Sequence, residues 1–198
     1  MINLDNVWDK FIEVAQSLVG SYLSLSGPLG DEPCVIREGI AGPIPNYPYI
    51  TVSLTDVSDE NGWLINEYVG ENDLIVYENI KTILVNYLCF GGESSTESFQ
   101  KSSDIMNILH GSFRFDSVLG DIRMTLNGSV VTLTSIQSLP VQLKDKILAS
   151  AGFSVLFNIV DSLEDPNSSI IDTVDLTGEV HTLQGDLDSD QIIINVTS

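Results

Sequence analysis

Two runs of β-branched and aromatic residues, separated by an acidic stretch, fill residues 45–92 and commit this part of the chain to a sheet: PNYPYITVSLTDVSDENGWLINEYVGENDLIVYENIKTILVNYLCFGG. Pro48 disfavours the helical region for Tyr47 and so launches an extended arm at residues 49–55. In that arm Ile50, Val52 and Leu54 alternate with Tyr49, Thr51, Ser53 and Thr55, the period of a strand with one buried face. The second arm, residues 80–90, is apolar on both faces, which predicts a central strand, and Gly91 and Gly92 are read as its end. Together the arms predict a long β-hairpin. Residues 56–73 between them hold six carboxylates (Asp56, Asp59, Glu60, Glu67, Glu71, Asp73) and no Lys or Arg, yet also Trp63, Leu64, Ile65, Tyr68 and Val69. An acidic excursion bearing large apolar side chains suits contact with another molecule, so Trp63, Leu64 and Tyr68 are the candidate subunit-interface residues. The competing account packs the same three side chains back onto their own domain.

The 198 residues suffice for one domain with a real core and without disulfides or metals. Residues 1–165 are read as that domain, and residues 166–198 as an acidic, strand-forming extension belonging to it. Twenty-eight acids against eight bases give a formal charge of −20. Residues 147–198 hold nine acids and no base. Phosphate binding requires clustered Lys and Arg, so specific DNA or RNA recognition is not expected. Solubility alone is a sufficient reason for the charge. Cys34 and Cys89 make neither a metal cluster nor a disulfide framework, and Cys89, inside the central arm, reads as a small buried hydrophobe. The start, MINLDNVWDKFIEVAQ, lacks a basic segment followed by an apolar run, and no stretch approaches membrane-spanning length; a soluble, cytoplasmically made protein is expected.

Leu4, Trp8, Phe11, Ala15, Leu18 and Tyr22 recur at helical spacing and predict an amphipathic helix over residues 5–19, with Gly20 near its end. Residues 24–48 are a Pro/Gly-rich loop with a short strand at 34–37. Ser94 or Ser95 caps a second helix reaching about residue 110, with Phe99, Ile105, Met106 and Leu109 inward. Further strands are read at 130–138 and 153–163, a helical turn within 140–150, and an Asn127-Gly128 hairpin turn. The fold class is therefore α+β: a mostly antiparallel central sheet with a long β-hairpin and two or three helices packed on it.

Chemistry finds little footing. His110 sits where an imidazole complements helix C-terminal carbonyls, and His181 lies in a strand-like setting. GxSxG, HExxH, GxxxxGK[ST] and CxxC patterns are absent. Asp186, Asp188 and Asp190 imitate the start of a calcium loop, but Gln191 replaces its turn glycine and Thr197 its bidentate Glu. No catalytic residue, cofactor or metal site is assigned, and the protein is not expected to be an enzyme.

The order of helix, Pro/Gly-rich loop, PNYPYITVSL strand (45–54), acidic excursion, ILVNYLCFGG strand (83–92) and capped helix resembles the tailed-phage neck and tail terminator family. That family's second strand closes on Tyr-Gly where this chain has Phe90-Gly91. Residues 134–160, TSIQSLPVQLKDKILASAGFSVLFNIV, follow its strand, "dLP" turn and final strand, with Ser150-Ala151 in place of an Arg-Ala pair. The resemblance covers residues 1–165. It implies a structural virion protein of the neck, made in the bacterial cytoplasm, whose copies form a homo-oligomeric ring of roughly six. Such a ring sits between the head-tail connector and the tail tube, completes the tail, and passes DNA without specific binding or any membrane. Alternatives are another head-tail adaptor or virion accessory protein, an acidic cytoplasmic enzyme, and a calcium-binding module.

Overall fold

Side-chain alternation through residues 75–93 and 146–164 produces two 19-residue strands, β4 (Ile75–Glu93) and β7 (Lys146–Glu164), which pair antiparallel from Val76↔Glu164 to Glu93↔Leu148. At about 3.3 Å per residue this ribbon is on the order of 60 Å long. The computed structural model describes residues 3–25, 34–39, 45–57, 66–69, 75–143 and 146–164. Along β4 lie two short strands in tandem: β2 (Tyr49–Asp56) opposite residues 83–90 and β3 (Asn66–Val69) opposite residues 75–78. Along β7, β6 (Gln137–Leu143) pairs with residues 146–152 and β5 (Gly128–Leu133) with residues 155–159. A parallel strand, β1 (Val35–Arg37), completes the seven-stranded sheet beyond β2.

Three helices, α1 (Leu4–Val19), α2 (Thr96–Ser112) and α3 (Asp116–Leu126), make the other layer. Beneath them one face of the sheet is buried through Ile50, Val52, Ile83, Val85, Tyr87, Cys89, Phe153, Val155 and Phe157. Phe11 of α1 is the hub. Its ring centroid lies 5.3 Å from Phe157, 6.3 Å from Phe113 and 6.5 Å from Tyr87. The buried Tyr87 hydroxyl donates to the Phe11 carbonyl at 2.8 Å, which satisfies a phenol that the core would otherwise strand. The outer face holds a smaller cluster of Cys34, Tyr49, Phe90 and Leu148, with Tyr47, Tyr49 and Phe90 stacked in series. Next to it runs a polar ladder in which Ser154 donates to Asn86 at 2.6 Å and Thr82 to Asn158 at 2.9 Å.

The α+β class, the antiparallel sheet and the central place of the second arm agree with the sequence reading. Several elements differ from it. The long arm does not stop at Gly91-Gly92: Gly91 is the extra residue of a bulge where the register with β7 shifts between Phe90 and Gly92, Gly92 adopts φ +131°, and the strand continues to Glu93. The two arms do pair directly, and the stretch between them adds a further strand, β3, to the same edge of β4. Asn127-Gly128 is not a hairpin turn. Asn127, at φ 49°, is the left-handed cap of α3, and Gly128 opens β5. Residues 130–138 divide into two strands at 134–136, and the helical turn placed within 140–150 is instead the β6 to β7 hairpin. In α1 the buried face is Val7, Lys10, Phe11, Val14, Ala15 and Val19, whereas Leu4 and Tyr22 of the expected stripe are about half exposed.

Candidate assembly surfaces

Of the expected interface residues one falls on a described element, β3, which pairs with the Ile75 end of β4. Tyr68 occupies the β3 position opposite Val76 in backbone register, while Trp63 and Leu64 lie outside the described residues. Asp56 ends β2 on the surface, opposite Ile83. Beyond it the Val57 amide donates to the Thr82 carbonyl at 3.0 Å, so the excursion leaves the sheet from β2's far end, away from Tyr49 and Phe90.

Cations are scarce, and among the described residues Lys10, Arg37, Lys81 and Lys146 are spent on internal ties. Lys10 passes beside α3 to reach Asp121 at 2.8 Å and Glu13 at 3.2 Å. Its hydrogen bond to Asp121 raises its pKa against the opposing effect of burial. Arg37 reaches Asp5 at 2.6 Å and also Asp9, lies 5.1 Å over the Trp8 ring, and so ties β1 to α1. Lys81 meets Asp161 at 2.8 Å, and Lys146 pairs with Glu93 across the ribbon. Among the described residues, Lys101, Arg114 and Arg123 make no ion pair. All three project from α2, α3 or the turn joining them.

Two shallow, open surface grooves are present among the described residues. One, of about 180 Å³, lies between the start of α1, the end of α3 and β7. The other, of about 240 Å³, is lined by Tyr22, Lys101, Asp104, Ile105 and Ile108. Both fall below the roughly 300–1,000 Å³ typical of small-molecule sites.

The reactive residue types are placed as structural groups. The His110 ring lies edge-on to Phe153 at 5.0 Å, with Nε2 3.1 Å from the Thr134 carbonyl. Burial pushes the Cys89 thiol up to about 12, far from a reactive thiolate. Among the described residues no group of three His, Cys, Asp or Glu side chains could hold a metal ion. His181 and the Asp186, Asp188, Asp190 run lie outside the described residues. No helix among the described residues is long and apolar enough to cross a membrane.

Burial also raises Tyr49 to about 12 and Tyr87 well above 10. Unfolded, these thiol and phenol groups ionise near 9 and 10, so between pH 9 and 12 the unfolded chain binds fewer protons than the folded one. Stability is accordingly complete below pH 9 and falls as pH climbs through the folded values. Urea midpoints measured from about pH 7 to about pH 11.5 test this, and Cys89→Ala is expected to flatten the earliest part of the decline.

A helix layer on one sheet face, short strands in tandem along both long strands and a strongly acidic composition define an α+β scaffold domain. Its sequence places it more narrowly. Residues 12–186 match the phage neck terminator protein family, and the chain belongs to that family, whose members are structural proteins of the virion. The match runs past residue 165, into the acidic C-terminal stretch. No curated protein matches the chain in sequence. One solved structure aligns with 80% of this chain and 96% of its own length at 12% identity, with a TM-score of 0.38.

Proposed function

We propose that the protein closes into a ring of roughly six copies between the head connector and the tail, where it completes the tail and leaves a bore for DNA. The observation that carries this reading is membership of the neck terminator family. The sheet supports it, because short strands in tandem along both long strands leave edges available to neighbouring copies or to connector and tube proteins. So does the charge. About six copies at −20 surround a bore with on the order of 120 negative charges, and a like-charged wall keeps duplex DNA from adhering within a Debye length of about 8 Å. Residues 166–198 belong to the same domain in this reading, which the family match to residue 186 supports. Synthesis takes place in the bacterial cytoplasm, before incorporation into the virion.

Trp63, Leu64 and Tyr68 are the proposed anchors of the contact between copies. Native mass spectrometry of the purified chain, alone and with connector or tube proteins, is expected to show a closed species near six subunit masses. Trp63→Ala is expected to abolish it while leaving the melting temperature unchanged. A destabilised monomer would instead mean that Trp63 packs within its own domain. A ring whose bore proved neutral or basic would remove the electrostatic part of the reading.

A further inference from the structure

The groove on α2 combines three properties that select a partner. It is apolar at its floor through Ile105, which is 2% exposed, and at its rim through Tyr22 and Ile108, which are 53% and 38% exposed. Its flank carries Lys101, an exposed cation without an ion-pair partner among the described residues, in a chain with 28 acids. The neighbouring Asp104 accepts from the Gln100 amide at 2.8 Å and is thereby tied back along α2, while Lys101 has no such tie and is the one cation lining the groove among the described residues. The complement is a short segment with a bulky apolar anchor flanked by carboxylates. Residues 59–65, DENGWLI, have that composition, with two acids, no base, and Trp63, Leu64 and Ile65 in succession.

The fold decides whose segment it is. Lys101 lies at the level of Cys89, whose thiol feels its charge, and Ser98 of the same helix abuts Gly91. Asn66, by contrast, pairs with Glu78, eleven residues earlier on β4, which is about 36 Å away along the strand. Three residues of chain from Asn66 to Trp63 span about 11 Å at most. A molecule therefore cannot bring its own Trp63 into its own groove, but a neighbour can. We infer that the groove of Tyr22, Lys101, Asp104, Ile105 and Ile108 receives residues 59–65 of a second copy, with Trp63 as the anchor and Asp59 and Glu60 facing Lys101. The acceptor groove and β3, which the donor segment directly precedes in sequence, lie toward opposite ends of β4, so the contact is heterologous and head-to-tail, the kind that closes into rings. This rests on the ring reading above and names the acceptor that the reading lacks.

The test uses the full chain, with assembly followed by sedimentation across a concentration series. Lys101→Glu and Ile108→Asp, both at exposed positions, are expected to raise the half-assembly concentration at least about tenfold with unchanged circular dichroism. Glu60→Lys added to Lys101→Glu is expected to restore assembly to within about threefold of the parent. Ile108→Asp and Trp63→Ala chains, each monomeric alone, are expected to give dimers when mixed, because each pair retains one intact donor and one intact acceptor. Rings that tolerate both groove substitutions overturn this inference and leave the ring reading standing. It is overturned in the same way if Trp63→Ala blocks assembly while the groove variants do not, or if cross-linking from Ile108→Cys captures another segment such as residues 26–33. A parent chain monomeric at every concentration defeats the ring reading and this inference together.

Discussion

Phe11→Ala is expected to destabilise the protein by roughly 3–5 kcal/mol, a large share of the 5–15 kcal/mol that holds a typical domain folded. Phe11 is fully buried, and its ring bridges α1 to Phe113 after α2 and to Phe157 and Tyr87 in the sheet. Truncation removes the apolar transfer energy and leaves a void walled by three aromatic rings that are themselves held in place by strand pairing and helix packing, so relaxation into the space is limited. The Tyr87 hydroxyl keeps its bond to the backbone carbonyl of residue 11, so the loss reports packing alone. For a chain of this size the melting temperature is expected to fall by about 10 °C. Leu4→Ala is the matched control. Leu4 belongs to the same sequence stripe but is 48% exposed, and its removal is expected to cost under about 0.5 kcal/mol. Equal effects at the two positions would mean that α1 sits in a different rotation.

That contrast shows where the sequence is legible. Helical spacing identifies α1 and places Phe11 and Ala15 inward. It does not fix the rotation, because Val7, Val14 and Val19 offer a second apolar stripe and the choice belongs to the sheet and helices they meet. Lys10 is hidden for a related reason: its stem is buried while its ammonium reaches out to Asp121. Helix α3 escapes a reading by pattern although Val118, Ile122 and Leu126 recur at four-residue steps. Gly120 interrupts the pattern, Phe115 offers no side-chain cap, and Asn127-Gly128 carries two meanings, a hairpin turn or a left-handed helix cap. Composition cannot separate these meanings, whereas the preceding period of 3.6 can. The acidic excursion is recognisable as a single loop, but the strand within it is not, because NEYV is too short to show alternation. The interface candidates are legible only as a composition, large apolar groups among carboxylates. Their acceptor is not legible at all, since Tyr22 and Ile108 come together only when the turn that ends α1 packs beside α2.

The two glycines that look like a stop signal in the sequence make the second large prediction, because the first of them lets a helix touch a strand. A Cβ on Gly91 would lie 2.1 Å from the Ser98 carbonyl oxygen and 3.0 Å from its carbon, both backbone atoms in the first turn of α2. No rotamer change relieves such a clash. The helix must move, and its N-terminus is fixed by the Ser95 hydroxyl accepting from the Ser98 amide at 3.1 Å, with Ser102, Ile105 and Met106 buried just beyond. Gly91→Ala is therefore expected to cost about 3 kcal/mol, at the upper end for overpacking by a single methyl group. Gly111→Ala supplies the opposite sign within the same helix. Nothing lies within 4 Å of the position its Cβ would take, and it sits inside the last turn of α2, so the gain in helix propensity is expected to stabilise by up to about 1 kcal/mol. Denaturant midpoints for the pair separate close packing from a general intolerance of α2 to alanine. Because the groove of Lys101, Ile105 and Ile108 rides on this helix, a displaced α2 in the Gly91 variant is also expected to weaken assembly. Gly111→Ala, which leaves α2 seated on the strand, is expected to assemble as the parent does.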